Sequence, residues 1–348
     1  MAKSDIYKIS GHWDHYLDGM FVMGDEKKDK EVFALRPMTC PFQYQAYLNK
    51  MRSYRDLPLR YNETSTLFRN EASGEMHGLI RIRQFTISEG HLMCRPDQLE
   101  DEFRGCLELA IYMLKTLGLY EDVSYRFSQW DPDDREKYIG TEEQWNEAQS
   151  TMKRILDHLE IPYKIGIGEA AFYGPKLDIQ IRNVFGKEDT LITLQIDQML
   201  AENFGMEYTD SDGTKKHPYI IHRTSIGCYE RTLALLIEKY AGAFPTWLAP
   251  VQVKLLPITD GQKEYAREFA LELQNSGIRF EVDDRNEKIG YKIREAQLEK
   301  VPYMLIIGEK ETETGSVSVR SRKDGDLGQM EKAEFIEKIL QEIKDKVR

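Results

Sequence analysis

The chain has 348 residues, 41% hydrophobic and 31% charged, the make-up of a folded globular protein of one large or two ordinary domains rather than a disordered tail, a collagen-like fibre or a disulfide miniprotein. No stretch approaches the roughly 20 apolar residues of a membrane helix, and the start, MAKSDIYKISGHWDHY, has no apolar core of a secretory signal. Residues 251–348 carry 18 Lys/Arg against 20 Asp/Glu, so most of the net charge of −11 falls on residues 1–250, and any nucleic acid is met by placed arginines and shape rather than bulk charge.

In chain order, residues 1–242 read as short β-like runs with a few helices between them. EVFALRP, LRYNETSTLFR and GLIRIRQFTI come first, followed by the helical patterns PDQLEDEFRGCLELAIYMLKTLG and TEEQWNEAQSTMKRILDHL. LDIQIRNV, DTLITLQID and YIIHRTS are further strands, and TLALLIEKYAG is a helix ending at a Gly where a C-cap belongs. Consecutive strands favour an antiparallel sheet with helices packed on it, an α+β fold. Two prolines in Ala243–Pro250 then make a stiff connection. Beyond it the pattern becomes a clean βαβ alternation: VQVKLLPI, GQKEYAREFALELQNSG, IRFEVDD, KIGYKIREAQLEK, VPYMLIIG, SVSVRSR and EKAEFIEKILQEIKDKV. The expected domains are therefore residues 1–248 and a small α/β domain at 250–348.

Segment Leu67–His91 carries the most chemistry. It predicts two strands joined by a Gly-containing loop, with Arg81, Arg83 and Phe85 on one face of the second strand. Arginines beside an aromatic ring suit a nucleotide, phosphate on the fork and base on the ring, although an exposed hairpin with solvated charges has the same pattern. Arg231, near the start of an otherwise apolar helix, needs a carboxylate or a phosphate. Neither G-x-x-x-x-G-K-[ST] nor a strand-to-helix G-x-G-x-x-G occurs, and the zinc signatures C-x-x-C and H-E-x-x-H are missing. Spacing alone does not group Cys40, His91 and His222, and four scattered cysteines (Cys40, Cys94, Cys106, Cys228) read as thiols of a reducing, cytoplasmic setting.

RNEASGEMHGLIRIRQF resembles motif 2 of the class II aminoacyl-tRNA synthetases, and GCYERTLALLIE followed by AGAFPTWLAPVQV resembles motif 3 and the exit to an anticodon-binding domain. SGHWDHY, RPMTCP, SYRDLPLR, FTISEGH, AFYGPKLDIQI and NEKIGYKIREAQLEKVPYMLIIG are similar to the threonyl-tRNA synthetase family. The resemblance implies zinc on Cys40, His91 and His222, with open positions that take the amine and hydroxyl of L-threonine. It implies ATP with Mg²⁺ as cosubstrate: Arg69 on the α-phosphate and carboxylate, Glu71 on the adenine amino group, Phe85 stacked on adenine, Arg81 and Arg231 on the γ-phosphate end. His12, Tyr173 and Gln195 correspond to residues around the threonine, and Glu89 stands where the family often has an aspartate on the threonine hydroxyl. Asn286, Arg294, Glu311 and Arg320 correspond to readers of the anticodon of tRNA(Thr), with Lys300 where an arginine is common. A homodimer is implied, and neither membrane nor DNA is a partner. The chain is expected to start at or just after motif 1, the dimer-interface element, and to lack the N-terminal editing domains, so that serine is expected to be charged to tRNA at a detectable rate. A prolyl-type enzyme, which needs no metal trio, and a non-catalytic tRNA-binding regulator are the alternatives.

Overall fold

In the computed structural model, which describes residues 1–348, the chain divides into two compact units, Met1–Leu235 and Leu236–Arg348. The first is built on a seven-stranded sheet. Its strands are β1 (Leu59–Phe68), β2 (Gln84–Cys94), β3 (Val123–Gln129), β4 (Tyr163–Ile167), β5 (Lys176–Arg182), β6 (Glu188–Asp197) and β7 (Tyr219–Cys228). They lie in the order β1-β2-β7-β6-β5-β3-β4, antiparallel except for the parallel β3–β4 pair at one edge. Its longer helices are α1 (Cys40–Leu48), α2 (Leu99–Leu117), α3 (Glu142–His158) and α4 (Tyr229–Tyr240), the division between units falling within α4, and shorter helices lie at Ser4–Ile9, His12–His15 and Leu200–Asn203.

Local chemistry explains the elements. In α2, Leu99, Phe103, Cys106, Leu107, Ala110, Leu114 and Leu117 recur every three or four residues and are buried, forming one apolar stripe that lies against β7 and β6. Three acids in its first turn complement the positive end of the helix dipole, and Gly118 at φ 78° ends it in the left-handed conformation. In α3 the Thr141 hydroxyl accepts from the Gln144 N–H at 3.3 Å while the Gln144 side chain accepts from the Thr141 N–H at 2.8 Å, a reciprocal cap.

One expectation fails informatively. The strand predicted from Gly78 begins only at Gln84, where Phe68 pairs with Gln84. Residues 69–83 are a loop tied at its base by side chains: Arg83 Nε donates to Glu71 O at 3.0 Å and Arg81 pairs with the Glu71 carboxylate at 2.8 Å. Arg81 and Arg83 are thus not on a strand face with Phe85, because turns at 72–75 and 77–80 replace the ladder.

The second unit has strands β8 (Val253–Pro257), β9 (Phe280–Val282), β10 (Tyr303–Ile307), β11 (Ser316–Ser321) and β12 (Gly325–Glu331) in the order β9-β8-β10-β11-β12. Its helices are α5 (Lys263–Asn275), α6 (Ile289–Leu298), α7 (Glu309–Thr314) and α8 (Lys332–Lys344). The βαβ alternation holds for the parallel strands β9, β8 and β10. Strands β11 and β12 instead pair antiparallel, and β12 is a strand the hydropathy pattern misses because its residues, GDLGQME, are mostly polar. Val253, Leu255, Phe269, Leu273, Leu305, Val317, Phe335 and Ile339 form its buried core. No helix of the chain is long and apolar enough to cross a membrane.

The join between β7 and α4 depends on one glycine. The β7–β2 register shifts between Thr224 and Cys228, and within that bulge Gly227 has φ 72°. A Cβ there would sit 2.0 Å from the Leu191 carbonyl oxygen, whereas Gly205, at φ 64°, faces open space. Gly205→Ala should cost about 1–2 kcal/mol from its left-handed backbone alone. Gly227→Ala should cost at least about 2 kcal/mol more, because backbone rather than a flexible side chain must move, as urea-unfolding midpoints will measure.

Candidate functional site

Sheet register places the key side chains. Across one rung of the sheet, Tyr61 on β1 pairs with His91 on β2, His91 with His222 on β7, His222 with Gln195 on β6, and Gln195 with Lys176 on β5. Because side chains alternate along a strand, Phe85, Ile87, Glu89 and His91 share one face of β2, and His222 and Thr224 share one face of β7. That face floors a cavity of about 470 Å³ whose lining includes His12, Cys40, Arg69, Glu89, Tyr173 and Arg231.

At one end, the ligating atoms of Cys40, His91 and His222 lie within 4.8 Å of one another, and all three residues are buried. Cys40 opens α1; Gln43 and Tyr44, one turn later on the same helix, reach the two histidines. His91 Nδ1 lies 2.9 Å from Gln43 Oε1, and His222 Nε2 lies 3.0 Å from Asp197 Oδ2. Amide oxygen and carboxylate are acceptors, so each of these ring nitrogens carries the proton. The other two, His91 Nε2 and His222 Nδ1, then face each other with lone pairs 3.1 Å apart. Two lone pairs in contact repel unless a cation lies between them, and two ligands of a tetrahedral zinc stand about 3.3 Å apart at bond lengths of about 2.05 Å. The donor set therefore fits a borderline-soft divalent metal.

Asp197 is fully buried, and its other carboxylate oxygen accepts from the Met199 and Leu200 N–H groups at 2.9 Å. Sequence reasoning passes over Gln43, Tyr44 and Asp197. The spacing 40, 43, 44 on one helix was the available signal for the first two, whereas Asp197 has none before the sheet register is known. Burial drives the Cys40 thiol well above its ordinary range, with Glu89 and Asp197 adding to the rise, and holds His91 well below, with the neighbouring His222 imidazole adding to the fall. Without a cation, both are neutral at pH 7.

Around this trio lie the residues expected near an amino acid. Tyr173 donates to Gln195 Oε1 at 3.0 Å, and its ring lies 5.1 Å from that of His222. His12 packs edge-on against Phe172 at 4.9 Å. The Ser10 hydroxyl donates to Tyr7 O, so His12 Nδ1 donates to Ser10 Oγ at 2.8 Å and Nε2 keeps its lone pair. Glu89 is not a free carboxylate: it accepts from the Thr39 N–H at 3.2 Å and from the Thr39 hydroxyl, tying β2 to the start of α1.

Towards the other end the charge turns positive. Arg69 lies over the Phe85 ring at 5.1 Å and donates to Pro37 O at 3.4 Å. Arg231 has neither of the partners the sequence suggested. It donates to two neutral carbonyls, Ile80 O at 2.9 Å and Thr190 O at 2.6 Å, while burial pulls its pKa down and Arg69 and Arg81 add like charge. Such an arginine is held in place yet keeps its charge for an anion. Arg81 and Glu71 instead pair with each other, and Glu75 lies 3.4 Å from Arg81. In the second unit Asn286 and Arg294 are exposed, Arg320 is half-buried on β11, and Glu311 is buried, its carboxylate accepting from the Gly308 N–H and the Ser318 hydroxyl at 2.8 Å.

Comparison with known proteins gives two family matches: the tRNA synthetase class II core domain (G, H, P, S and T) over residues 21–240, and an anticodon binding domain over residues 252–342. A threonine–tRNA ligase of Clostridium botulinum is 66% identical over 348 residues, 100% of this chain and 54% of that protein. The chain thus spans about half the length of the curated relatives it matches. The solved RNA binding domain of threonyl-tRNA synthetase from Cryptosporidium parvum superposes with a TM-score of 0.90 at 32% identity, covering 97% of this chain and 83% of that one. Prolyl-tRNA synthetase of Cryptosporidium parvum, at 21% identity and a TM-score of 0.70 over 99% of this chain and 64% of that one, shares the fold.

Burial lowers the pKa of His12 to about 3. The folded state keeps it neutral while the unfolded chain protonates it near pH 6.5, so its contribution is complete above pH 6.5 and lost as pH falls towards 3. Between about pH 7.5 and 5.5 this one group should remove about 1.4 kcal/mol, and urea midpoints of His12→Gln should show that much less pH dependence than wild type.

Proposed function

This chain belongs to the threonyl-type class II tRNA synthetases, and from that premise we propose that it carries the catalytic and anticodon-binding parts of a threonine–tRNA ligase. Residues 1–248 would activate L-threonine with ATP and transfer it to the 3′ end of tRNA(Thr), and residues 250–348 would read the anticodon. The observation that carries this reading is the pair of opposed imidazole lone pairs beside a buried thiol, at one end of a cavity whose other end holds Arg69 and Arg231, hydrogen-bonded to carbonyls and not to carboxylates.

Cys40 Sγ, His91 Nε2 and His222 Nδ1 would hold zinc, which supplies when bound a grip on an amine and a neighbouring hydroxyl through its open coordination positions. Valine shares threonine's shape but has no hydroxyl; an apolar pocket alone would separate such near-isosteres only about 100-fold. Tyr173, Gln195 and His12 line the amino-acid end, and the Glu89 carboxylate reaches it from its anchor on Thr39. Arg69 orients the α-phosphate and the threonine carboxylate, so that the carboxylate attacks phosphorus in line and pyrophosphate leaves. Phe85, backed by Arg69, offers its ring to adenine, and Glu71 its carboxylate to the adenine amino group. Arg231, and Arg81 once released from Glu71, meet the γ-phosphate end of ATP bound with Mg²⁺. No covalent link to the protein is needed.

In the second unit Asn286, Arg294 and Arg320 would contact unpaired anticodon bases, with Glu311 bracing the loop through Gly308 and Ser318. A homodimer is the expected working form, and the free thiols suit the reducing cytoplasm.

The test is ATP–pyrophosphate exchange with this polypeptide, together with its metal content. One zinc per chain is expected, with exchange dependent on threonine and also on serine, and valine weaker by at least about 100-fold. Chelation or Cys40→Ala should abolish the exchange, and Arg231→Ala should lower it by about 100-fold or more. A metal-free chain, or one exchanging with proline instead, would refute the assignment.

A further inference from the structure

Five buried side-chain polar atoms have no hydrogen-bond partner: Tyr7 OH, Ser65 Oγ, Gln198 Nε2, Thr224 Oγ1 and Trp247 Nε1. Of their residues, Thr224 alone lines the cavity. It lies two positions beyond His222 on the same face of β7, directly across the ladder from Glu89, and is only 8% exposed. Its neighbour Glu89 does not satisfy it, since that carboxylate is turned to Thr39. A buried hydroxyl without a partner destabilises a fold, and a valine of the same shape would fill the place without that penalty. Local packing therefore gives no reason for an oxygen there, whereas a polar ligand in the cavity does.

We propose that Thr224 is a specificity-determining residue for the amino-acid substrate, its hydroxyl completing a hydrogen bond with a polar group of the amino acid beside His222. The position favours the amino acid over the nucleotide: Thr224 is two positions from His222 on the face of the histidine pair, while Arg231, which suits phosphate, follows the bulge at Gly227. A hydroxyl both donates and accepts, so it can serve an amine or a side-chain hydroxyl. The inference rests on the amino-acid-activating function proposed above.

Thr224→Val and Thr224→Ser separate the possibilities. In exchange assays Thr224→Val should raise the KM for threonine by about three- to ten-fold, the worth of one neutral hydrogen bond, with the KM for ATP and the zinc content unchanged. Thr224→Ser, which keeps the oxygen, should stay within about two-fold of wild type. In the ligand-free protein the unfolding midpoint of Thr224→Val should equal or exceed that of wild type, the reverse of what a structural hydroxyl would give. An unchanged threonine KM, an ATP KM that rises instead, or a destabilised Thr224→Val would each overturn the proposal. Failure of the parent function reads differently, as wild-type chain that neither binds threonine in calorimetry nor exchanges with it.

Discussion

Two imidazoles from adjacent strands present lone pairs to each other because their other nitrogens are held as donors. Gln43 fixes the tautomer of His91 and Asp197 that of His222, whose Nε2 also meets the Tyr44 hydroxyl at 3.2 Å. Both rings are buried, so water cannot screen the repulsion. A cation held against both nitrogens and the Cys40 sulfur would relieve that repulsion, with Cys40 bound as the thiolate. The surroundings of the pair fit that constraint: Tyr44 reaches His222 from α1, Tyr173 packs on its ring, and Gln195 pairs with His222 on the same rung from the next strand.

The opposite end of the cavity solves a different electrostatic problem. A chain of net charge −11 has acid to spare for neutralising its arginines, yet Arg231 is anchored by two backbone carbonyls and Arg69 by a carbonyl and a ring. Carbonyls orient a guanidinium without cancelling it, so the field points into the cavity. Arg81 follows the other rule, held by Glu71 and Glu75 on an exposed loop where exchanging a carboxylate for a phosphate costs little. Overall acidity and a cationic cleft are compatible because placement, not total, sets the local potential.

Much of this was legible in the sequence where periodicity carried it. The stripes of α2 and α3 and the alternation of β1, β6 and β7 are local patterns, and the structure reproduces them within a few residues. Legibility failed where tertiary partners override local preference. GLIRIR alternates like a strand, but its arginines find Glu71 and the Glu71 carbonyl, and the chain turns instead. The strand β12 has too few apolar residues to announce itself and forms because β11 offers an open edge. Cys40, His91 and His222 come from three elements, so no spacing rule groups them; resemblance to a known family did, and the sheet register supplies the physical reason.

The same register shows why function and stability pull apart here. A sheet holds side chains on neighbouring strands about 5 Å apart with little freedom to adjust, which suits a site requiring fixed distances. Rigidity also means that groups waiting for a ligand stay unsatisfied: the two lone pairs at 3.1 Å, the hydroxyl of Thr224 and the un-neutralised Arg231 all lie on or beside one face of β2, β7 and β6. Each would be replaced by an apolar residue if packing alone decided. The bulge at Gly227 is the geometric counterpart, since it lets α4 begin close enough for Arg231 to reach Thr190 while Thr224 keeps its rung. The unpartnered atoms of Tyr7, Ser65, Gln198 and Trp247 lie away from the cavity, whereas the opposed imidazole nitrogens, the Thr224 hydroxyl and Arg231 share one wall of it, an arrangement that suits a polar or anionic ligand.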